Sequence, residues 1–487
     1  MEKVKKVVDY IFFIIYLIFI VIFLKNILLD VSKIYRFIFF TLCLLTIGII
    51  YLLRKRKKVL KCKTVWLAVG IILSVIGISI RIFLTKLNYL TPFSDYLTFY
   101  DNATFFSENT KILNSRYIAL FPYLSGYIVS LGTFFKIFSV KYVNVIFFNI
   151  VIDILTSLVL CITFRKKSLV GAVLIMASWL INPINIVWCA FAYPISIINF
   201  FIVLSLCMIQ SWEGRDNNLK IFIVYNILLG LVLALGNQFR PIFIIFVIAL
   251  FICRLYQFLF EKHSTKGMLI LGMAILILVY VIADNLLVHT MQLFNSEEFS
   301  KTQGWTLYVG ANIDSEGSWN LEDSKYFYEV GENKTADETQ IYMKNEAIRR
   351  VKNNGIIDDL KLLVDKFRIL TSSLGGYSAQ SFNYIQISYE SALVDKIVSM
   401  VLKVTCFIIV YSNLFVGIYY KNLKVKMIYM LVSLGIILSH LLVEVSPRYS
   451  IQAYIPMQIL GIIILCDILF KNKKDDNKEE IKLLRLI

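Results

Sequence analysis

The sequence predicts an all-α polytopic membrane protein with about twelve transmembrane helices, and three observations lead to this fold class. Of the 487 residues, 58% are apolar and only 17% are charged. The mean hydropathy is +0.73. Apolar runs close to the ~20 residues of one helical crossing recur along the chain. These values exclude an ordinary soluble globular protein, a disordered chain and a disulfide scaffold.

Twelve apolar runs are predicted to be membrane-spanning helices. The first follows a basic start, but it is too long for a signal peptide and no small-residue cleavage site comes after it, which predicts a retained span. The runs lie near 8–25, 34–53, 65–85, 142–164, 169–186, 194–211, 219–236, 241–259, 267–288, 397–420, 425–444 and 450–470.

A thirteenth apolar stretch, Tyr117 to Val140, is the ambiguous one, because it contains Pro122 and Lys136. If it crosses the bilayer, the basic group 165–167 falls on the opposite side from the strongly basic loop 54–58, against the positive-inside rule. We therefore predict a juxtamembrane helix within an external loop, 86–141, and both termini in the cytoplasm. The alternative is thirteen spans.

The charge distribution supports the same topology. The net charge is +17, yet residues 289–395 carry 16 acidic and 10 basic side chains. This segment is predicted to be a small α-rich extracytoplasmic domain, whereas the basic loops are cytoplasmic. The excess of basic residues thus orients helices, and no nucleic-acid partner is predicted. The predicted divisions are 1–63, two extra helices; 64–288, a membrane core; 289–395, the external domain; 396–470, three further helices; and 471–487, a charged cytoplasmic tail.

Several reaction classes lack their usual motifs. The sequence has no P-loop, no G-x-G-x-x-G, no G-x-S-x-G and no D-x-D. Nucleotide hydrolysis and serine hydrolysis are therefore not indicated. The three histidines, His263, His289 and His440, are far apart in sequence, so no metal site is predicted.

The first external loop holds two carboxylates, Asp95 and Asp101, among aromatic residues that include Tyr96. A carboxylate partly desolvated by rings at the membrane interface can act as a general base towards a hydroxyl. The alternative interpretation is a solvated loop acid beside interfacial tyrosines.

Arg240 and Arg448 stand at the predicted outer ends of spans, where the positive-inside rule disfavours cations. A guanidinium can bind a phosphate through two parallel hydrogen bonds, so both are candidate ligands of a lipid phosphate. The alternatives are snorkelling to ordinary headgroups and, for Arg448, an ion pair with Glu444 one helical turn earlier.

Asp153 is the deepest formal charge, near the middle of the run 142–164. An acid at that depth needs partners or a wet cavity. Asn144, Asn149 and Thr156 are the predicted partners in a structural role, and the alternative is a proton-coupled carrier or flippase.

Two features of the predicted external domain are candidate contact sites. Trp305 and Asn312 belong to a ring- and amide-rich segment that suits a sugar, or equally an ordinary turn-rich fold. Further on, Lys361, Lys366 and Arg368 alternate with apolar residues, which predicts an amphipathic helix on the membrane surface.

The order of short motifs is similar to that of a known superfamily. The chain has S-D-Y-x-x-x-Y at 94–100, F-P-Y at 121–123, N-P at 182–183, F-R-P at 239–241, and P-R-Y at 447–449 followed by Pro456. Over residues 64–470 it resembles the GT-C membrane glycosyltransferases. Among these it looks like the bacterial relatives of protein O-mannosyltransferases and of the aminoarabinose transferase of lipid A.

The resemblance implies a polyprenyl-phosphate sugar as donor and transfer on the outer face of a bacterial plasma membrane. The acceptor would be a hydroxyl of a cell-envelope glycan, lipid or protein. Asp95 matches the catalytic acid of the first external loop, while a second acid found in many members is missing beside it and after Asn182-Pro183. No soluble cofactor is implied, and a divalent metal near Asp95 and Asp101 is an alternative that no motif supports. The residues expected to bind substrate are Asp101, Tyr96, Arg240, Arg448, Tyr449, Trp305 and Asn312.

Two rival functions stay open. A lipid-linked oligosaccharide polymerase also has about a dozen spans and a large external loop, and its chemistry would depend on the external arginines. A flippase or proton-coupled transporter would be built around Asp153, although the two halves of this chain differ, unlike those of most transporters.

Overall fold

The computed structural model describes residues 2–55, 63–86, 92, 94–165, 168–212, 218–260, 266–372, 391–416 and 423–470. Within these ranges the chain is helical and contains no β-strand, only an isolated parallel bridge between Ser318 and Val445. The predicted all-α class is therefore confirmed. The predicted tail 471–487, parts of the basic loops (56–62, 166–167 and 261–265) and 373–390 of the predicted external domain lie outside the described residues.

Most of the described residues in the predicted apolar runs are helical, and the helices are numbered here along the chain. They are α1 Glu2–Leu29, α2 Lys33–Lys55, α3 Lys63–Leu84, α4 Ser94–Asn109, α5 Ser115–Leu120, α6 Ser125–Phe138, α7 Tyr142–Phe164, α8 Leu169–Leu180, α9 Pro183–Trp188, α10 Ile195–Trp212, α11 Leu219–Asn237, α12 Ile244–Phe260, α13 Lys266–Gln292, α14 Trp305–Gly310, α15 Leu321–Gly331, α16 Ala336–Asn353, α17 Ile356–Ser372, α18 Ser391–Ser412, α19 Leu423–His440 and α20 Ile451–Phe470.

Among the described residues, eight helices are long and apolar enough to cross a membrane, namely α1, α3, α7, α10, α11, α13 and most of α18 and α20 with their adjoining turns. Three shorter apolar helices, α8, α12 and the described part of α19, have 10–17 residues. The chain is therefore a multi-pass α-helical membrane protein. That twelve helices cross the bilayer stays a prediction.

The ambiguous stretch from Tyr117 to Val140 is not one straight helix. It divides into α5, a 3₁₀ turn at Pro122–Leu124, and α6. The 14 residues of α6 extend over about 21 Å at 1.5 Å per residue, which is shorter than the ~30 Å hydrocarbon core. A Cβ atom at Gly132 would lie 2.8 Å from the carbonyl oxygen of Ala103, so α6 packs closely along α4. This geometry agrees with the predicted juxtamembrane helix.

The predicted continuous run 169–186 is wrong, because α8 ends at Leu180 and α9 begins at Pro183. Proline lacks the N–H group that would continue the preceding helix. Asn182 caps the new helix, and its side chain accepts a hydrogen bond from the backbone N–H of Ile184.

The segment after α13 is helical in its described part, in line with the predicted α-rich domain. The apolar-periodic region from Asp337 to Leu370 forms two helices, α16 and α17, separated at Asn354 and Gly355. Thr335 and Glu338 form a capping box that starts α16.

A seam of main-chain contacts joins this segment to the loop after α19. The backbone N–H of Glu444 donates to the carbonyl of Thr306 at 2.7 Å, and that of Val445 donates to Gly317 at 2.9 Å. A Cβ atom at Gly310 would lie 2.4 Å from the carbonyl carbon of Val443. Only glycine permits this approach, which brings the external segment against the P-R-Y motif.

The deep acid Asp153 is buried in an ion pair that the sequence analysis did not predict. Its Oδ2 lies 3.0 Å from Arg81 Nη2, with side-chain exposures of 1% and 0%. The predicted partners are wrong, because Asn144 and Thr156 donate to nearby backbone carbonyls and Asn149 donates to the carbonyls of residues 189 and 191. Asp153 therefore links α7 to α3.

Candidate active site

The candidate base Asp95 forms an ion pair with Arg448, 353 residues further along the chain. Arg448 Nη2 lies 3.3 Å from Asp95 Oδ2. Asp95 is in the first turn of α4, and Arg448 is in the 3₁₀ turn Pro447–Ser450 that leads into α20. The side chains are 39% and 16% exposed, respectively. Both groups are thus accessible to a substrate at one end of the helical bundle.

Arg240 belongs to the same neighbourhood and is held by neutral groups. Its Nη2 lies 3.2 Å from His440 Nε2, and its Nη1 donates to Gln452 Oε1 at 3.4 Å. His440 Nδ1 lies 2.7 Å from the carbonyl of Ile436, which can only accept, so Nδ1 carries the proton and Nε2 accepts from Arg240. These contacts orient the guanidinium without neutralising its charge.

Tyr449 lies between the two arginines. Its ring centroid is 4.5 Å from the guanidinium carbon of Arg240 and 5.6 Å from that of Arg448. A second ring, that of Tyr193, lies 5.3 Å from Arg448. Cations over aromatic faces keep their charge while their position is restricted. The aromatic rings therefore restrict the positions of the two arginines and leave their positive charges available to a ligand.

Glu444 supplies a second carboxyl group to this neighbourhood. The helical spacing predicted for a Glu444–Arg448 pair is absent, because α19 ends at His440 and Arg448 lies in a separate turn. Instead, the hydroxyl of Tyr449 donates to Glu444 Oε1 at 3.3 Å. Burial raises the pKa of the Glu444 carboxyl, while Arg448 and the Tyr449 hydrogen bond oppose this shift.

The charge of Asp95 acts on tyrosines from two other parts of the chain. Burial raises the pKa of Tyr117, and the charge of Asp95 raises it further. The same two causes raise the pKa of Tyr328 on α15. These hydroxyls therefore stay protonated and can donate hydrogen bonds. Because Tyr328 belongs to the segment after α13, that segment lies within electrostatic range of Asp95.

The turn that carries Arg240 is fixed from two sides. Asp284 on α13 accepts hydrogen bonds from Asn237 Nδ2 at 3.0 Å and from Gln238 Nε2 at 2.7 Å. On the other side, a Cβ atom at Gly126 of α6 would lie 2.3 Å from the carbonyl oxygen of Gln238. Helix α6 thus packs directly against the turn that positions Arg240.

Two predicted residues of α4 lie apart from the ion pair. Tyr96 is buried behind it, with its ring 4.9 Å from Phe191 and 5.7 Å from Tyr193. Asp101 is exposed and, six residues after Asp95, points roughly 120° away around the helix. Among the described residues, no three His, Cys, Asp or Glu side chains form a group that could hold a metal ion. A substrate contact by Asp101 stays a prediction.

Trp305 and Asn312 have structural partners within the segment after α13. The Trp305 ring is 4.6 Å from that of Phe327. Asn312 Nδ2 donates to Asp323 Oδ2 at 2.9 Å, and Asp323 is also paired with Arg350 at 2.6 Å. Burial would raise the pKa of Asp323, but the hydrogen bonds from Arg350 and the amides lower it overall. Substrate binding by Trp305 and Asn312 stays a prediction.

Sequence reasoning missed several groups that define the site. His440, Gln452, Tyr193 and Asp284 each hold an arginine or its turn, and all come from different elements. In the sequence, only the three-residue motifs around Arg240 and Arg448 indicated this site. The partners of the two arginines could not be recognised, because helix packing alone brings them together.

Lys366 on α17 occupies a position different from the one predicted. The sequence analysis grouped it with Lys361 and Arg368 on a helix at the membrane surface, but it is 1% exposed and its side chain donates to the carbonyl of Gly310 at 2.9 Å. Its stem covers Gly317, which has a φ of +73°. Burial lowers the pKa of Lys366 from 10.5 to about 8.

This burial predicts a pH-dependent stability. Between about pH 8 and 10.5, the unfolded chain binds more protons at this lysine than the folded one, so the free energy of unfolding should rise with pH across that window. At about 1.4 kcal/mol per pKa unit, the shift from 10.5 to about 8 limits the gain to about 3.5 kcal/mol. We expect the melting temperature of the full-length protein in detergent, relative to Lys366→Met, to increase from pH 8 to 10. A pH-independent difference between the two proteins would contradict this.

Comparison of the chain with protein families, curated proteins and solved structures finds no match.

Proposed function

We propose that this protein is an integral membrane glycosyltransferase of the hexosyltransferase type, which transfers a sugar from a polyprenyl-phosphate donor to an acceptor hydroxyl. The acceptor would be a cell-envelope glycan, a lipid or a protein, and the reaction would take place on the extracytoplasmic face of a bacterial plasma membrane. The supporting observation is that Arg240 and Arg448 both lie against Tyr449, while Asp95, 353 residues earlier in the chain, pairs with Arg448. A carboxylate and two cations at one end of a membrane bundle suit base-assisted displacement of a phosphate.

In the proposed reaction, Asp95 accepts the proton of the acceptor hydroxyl as its oxygen attacks the anomeric carbon. The bond between that carbon and the phosphate oxygen breaks, and polyprenyl phosphate leaves with the electron pair. Arg240 and Arg448 stabilise the negative charge that develops on the phosphate. The single displacement inverts the anomeric configuration.

The two arginines would contribute differently. Arg240 is held by His440 and Gln452, both neutral, so its charge is available to an incoming phosphate without loss of an existing ion pair. Arg448 must first exchange its contact with Asp95 for the phosphate. This exchange would release Asp95 as a base at the moment the donor binds.

The experiment is donor turnover by the purified full-length protein in proteoliposomes, with a panel of radiolabelled polyprenyl-phosphate sugars and release of polyprenyl phosphate as the readout. Arg240→Met should reduce turnover by about 10²-fold or more, the effect of removing one preorganised charge donor. Arg349→Met is the matched control, because Arg349 is 69% exposed on α16, and it should leave turnover unchanged.

Other outcomes would favour the rival functions. Turnover of lipid-diphosphate oligosaccharides alone, with elongation of the glycan, would indicate a polymerase that uses the same arginines. Movement of a lipid-linked sugar across the vesicle membrane without bond cleavage would indicate a flippase. A loss of turnover in Arg349→Met equal to that in Arg240→Met would contradict the phosphate site.

A further inference from the structure

The exposed side of α17 carries an apolar edge, defined here as Ile356, Ile357, Leu360 and Val364. Their exposed fractions are 82%, 81%, 58% and 68%. Spacings of one, three and four residues place these side chains on one side of the helix. Such a continuous row of large aliphatic groups in water would be unfavourable, at about 25 cal/mol per Å² of apolar surface.

Further towards the C-terminus of α17, the same side of the helix contacts the membrane-spanning helix α1. The ring of Phe367 lies 6.2 Å from that of Phe19, and Asn26 Nδ2 donates to Thr371 Oγ1 at 2.7 Å. The second contact is buried. Phe19 and Asn26 are both on α1, so α17 follows this helix over about two turns.

The position of Phe19 along α1 sets the depth of this contact. At 1.5 Å per residue, the 28 residues of α1 extend over about 42 Å, compared with a hydrocarbon core of ~30 Å. Phe19 lies about 15 Å from the end of α1 at Leu29. If α1 is centred in the bilayer, the hydrocarbon core begins about 6 Å from Leu29. Phe367 therefore contacts α1 at the depth of the acyl chains.

The apolar edge also continues a lipid-facing surface. Beside Phe19, α1 exposes Ile15, Ile18 and Ile22 at 51%, 53% and 41%. Val364 is about one turn from Phe367 along α17, and Leu360 about two turns. Asp358, Asp359 and Asp365 lie on the other side of α17, away from the edge. Lys361 and Arg368, which border the edge, are long enough to reach the headgroup layer from that depth.

From these contacts we infer that α17 is embedded edge-on in the bilayer leaflet nearest the candidate site, with Ile356, Ile357, Leu360 and Val364 among the acyl chains. The occupant of the apolar edge is therefore lipid. Helix α17 also packs against the turn Pro447–Ser450. The depth of α17 in the bilayer therefore determines the depth of Arg448 relative to the lipid headgroups. The inference rests on the membrane architecture and is independent of the proposed reaction.

The test is a depth measurement by electron paramagnetic resonance. In a background with the eight cysteines replaced by alanine or serine, a nitroxide is attached at Leu360→Cys or Val364→Cys, and the protein is reconstituted in vesicles of phosphatidylethanolamine and phosphatidylglycerol. Oxygen concentrates in the bilayer, whereas a nickel chelate stays in water. At both positions we expect collision with oxygen to exceed collision with the nickel chelate several-fold.

A nitroxide at Glu329→Cys, an exposed position of α15, is the matched control and should favour the nickel chelate. Equal nickel access at positions 360, 364 and 329 would show that the edge faces water and would overturn the inference. Low access of both reagents at 360 and 364 would show that protein covers the edge, and it would overturn the inference equally. Size-exclusion chromatography of each labelled protein excludes misfolding as the cause of either result.

Discussion

Asp95→Asn is expected to lower sugar transfer by about 100-fold or more, the usual effect of removing a general base. Asparagine keeps the shape of the side chain and can still accept a hydrogen bond from Arg448, but it cannot accept the acceptor's proton. The measurement is the same turnover of polyprenyl-phosphate sugars in proteoliposomes, at saturating donor. Loss of the partly exposed ion pair itself should change stability by less than about 1 kcal/mol.

The matched control is Glu108→Gln, which also replaces a carboxylate by an amide at an exposed position of the same helix. If Asp95 is the base, Glu108→Gln should retain most of the activity. Comparable losses in both variants would mean that the charge of α4, rather than a base at Asp95, supports the reaction. Full activity of Asp95→Asn would remove Asp95 from the mechanism and favour a polymerase that depends on arginines alone.

Arg81→Met is expected to be the most destabilising single change in the membrane core, with a loss of about 3–5 kcal/mol. The substitution leaves Asp153 buried without a cation. Among the residues that the structure describes, Arg81 is the only cation in contact with the Asp153 carboxylate. Arg81 also donates to the backbone carbonyl of Leu180, where α8 ends. We expect a much lower melting temperature in detergent and aggregation on size exclusion.

The double variant Arg81→Met/Asp153→Leu tests the cause. Removal of both charges should restore most of the lost stability, since apolar groups can replace a buried ion pair at little cost. Arg165→Met, an exposed arginine after α7, is the control and should behave like the wild type. If the double variant is as unstable as Arg81→Met, packing rather than charge explains the loss. If it is stable yet inactive in transport, the carrier function of Asp153 would replace the structural one.

The sequence predicted the fold class and the location of most helices because both depend on local signals. Apolar runs of membrane-crossing length need no tertiary information, and basic loops indicate orientation. Proline accounts for the main error within a helix: Asn182-Pro183 was recognised as a motif but not used as a helix boundary, although X-Pro is a usual stop signal.

Residues of the candidate site could be predicted only where a charged side chain stood at an unusual place in the sequence. Arg240 and Arg448 were conspicuous as cations at predicted outer ends, and Asp95 as an acid among rings. The partner of Asp153 was not predictable, because Arg81 is 72 residues away on another helix. Lys366 was misplaced because it was grouped with Lys361 and Arg368 by closeness in sequence, although spacings of five and two residues put it on a different side of the helix.

The backbone seam between residues 304–318 and 443–445 restricts how substrates can enter. A lid that swings away as a rigid body would have to break the hydrogen bonds from Glu444 and Val445 and separate Gly310 from Val443. We therefore expect this segment to stay in place during the proposed reaction. In that reaction the donor lipid would reach Asp95 by lateral diffusion in the plane of the membrane, and a glycan or protein acceptor would reach it from the aqueous side of α4. Two separate entrances would let a new acceptor bind before the spent carrier lipid has diffused away.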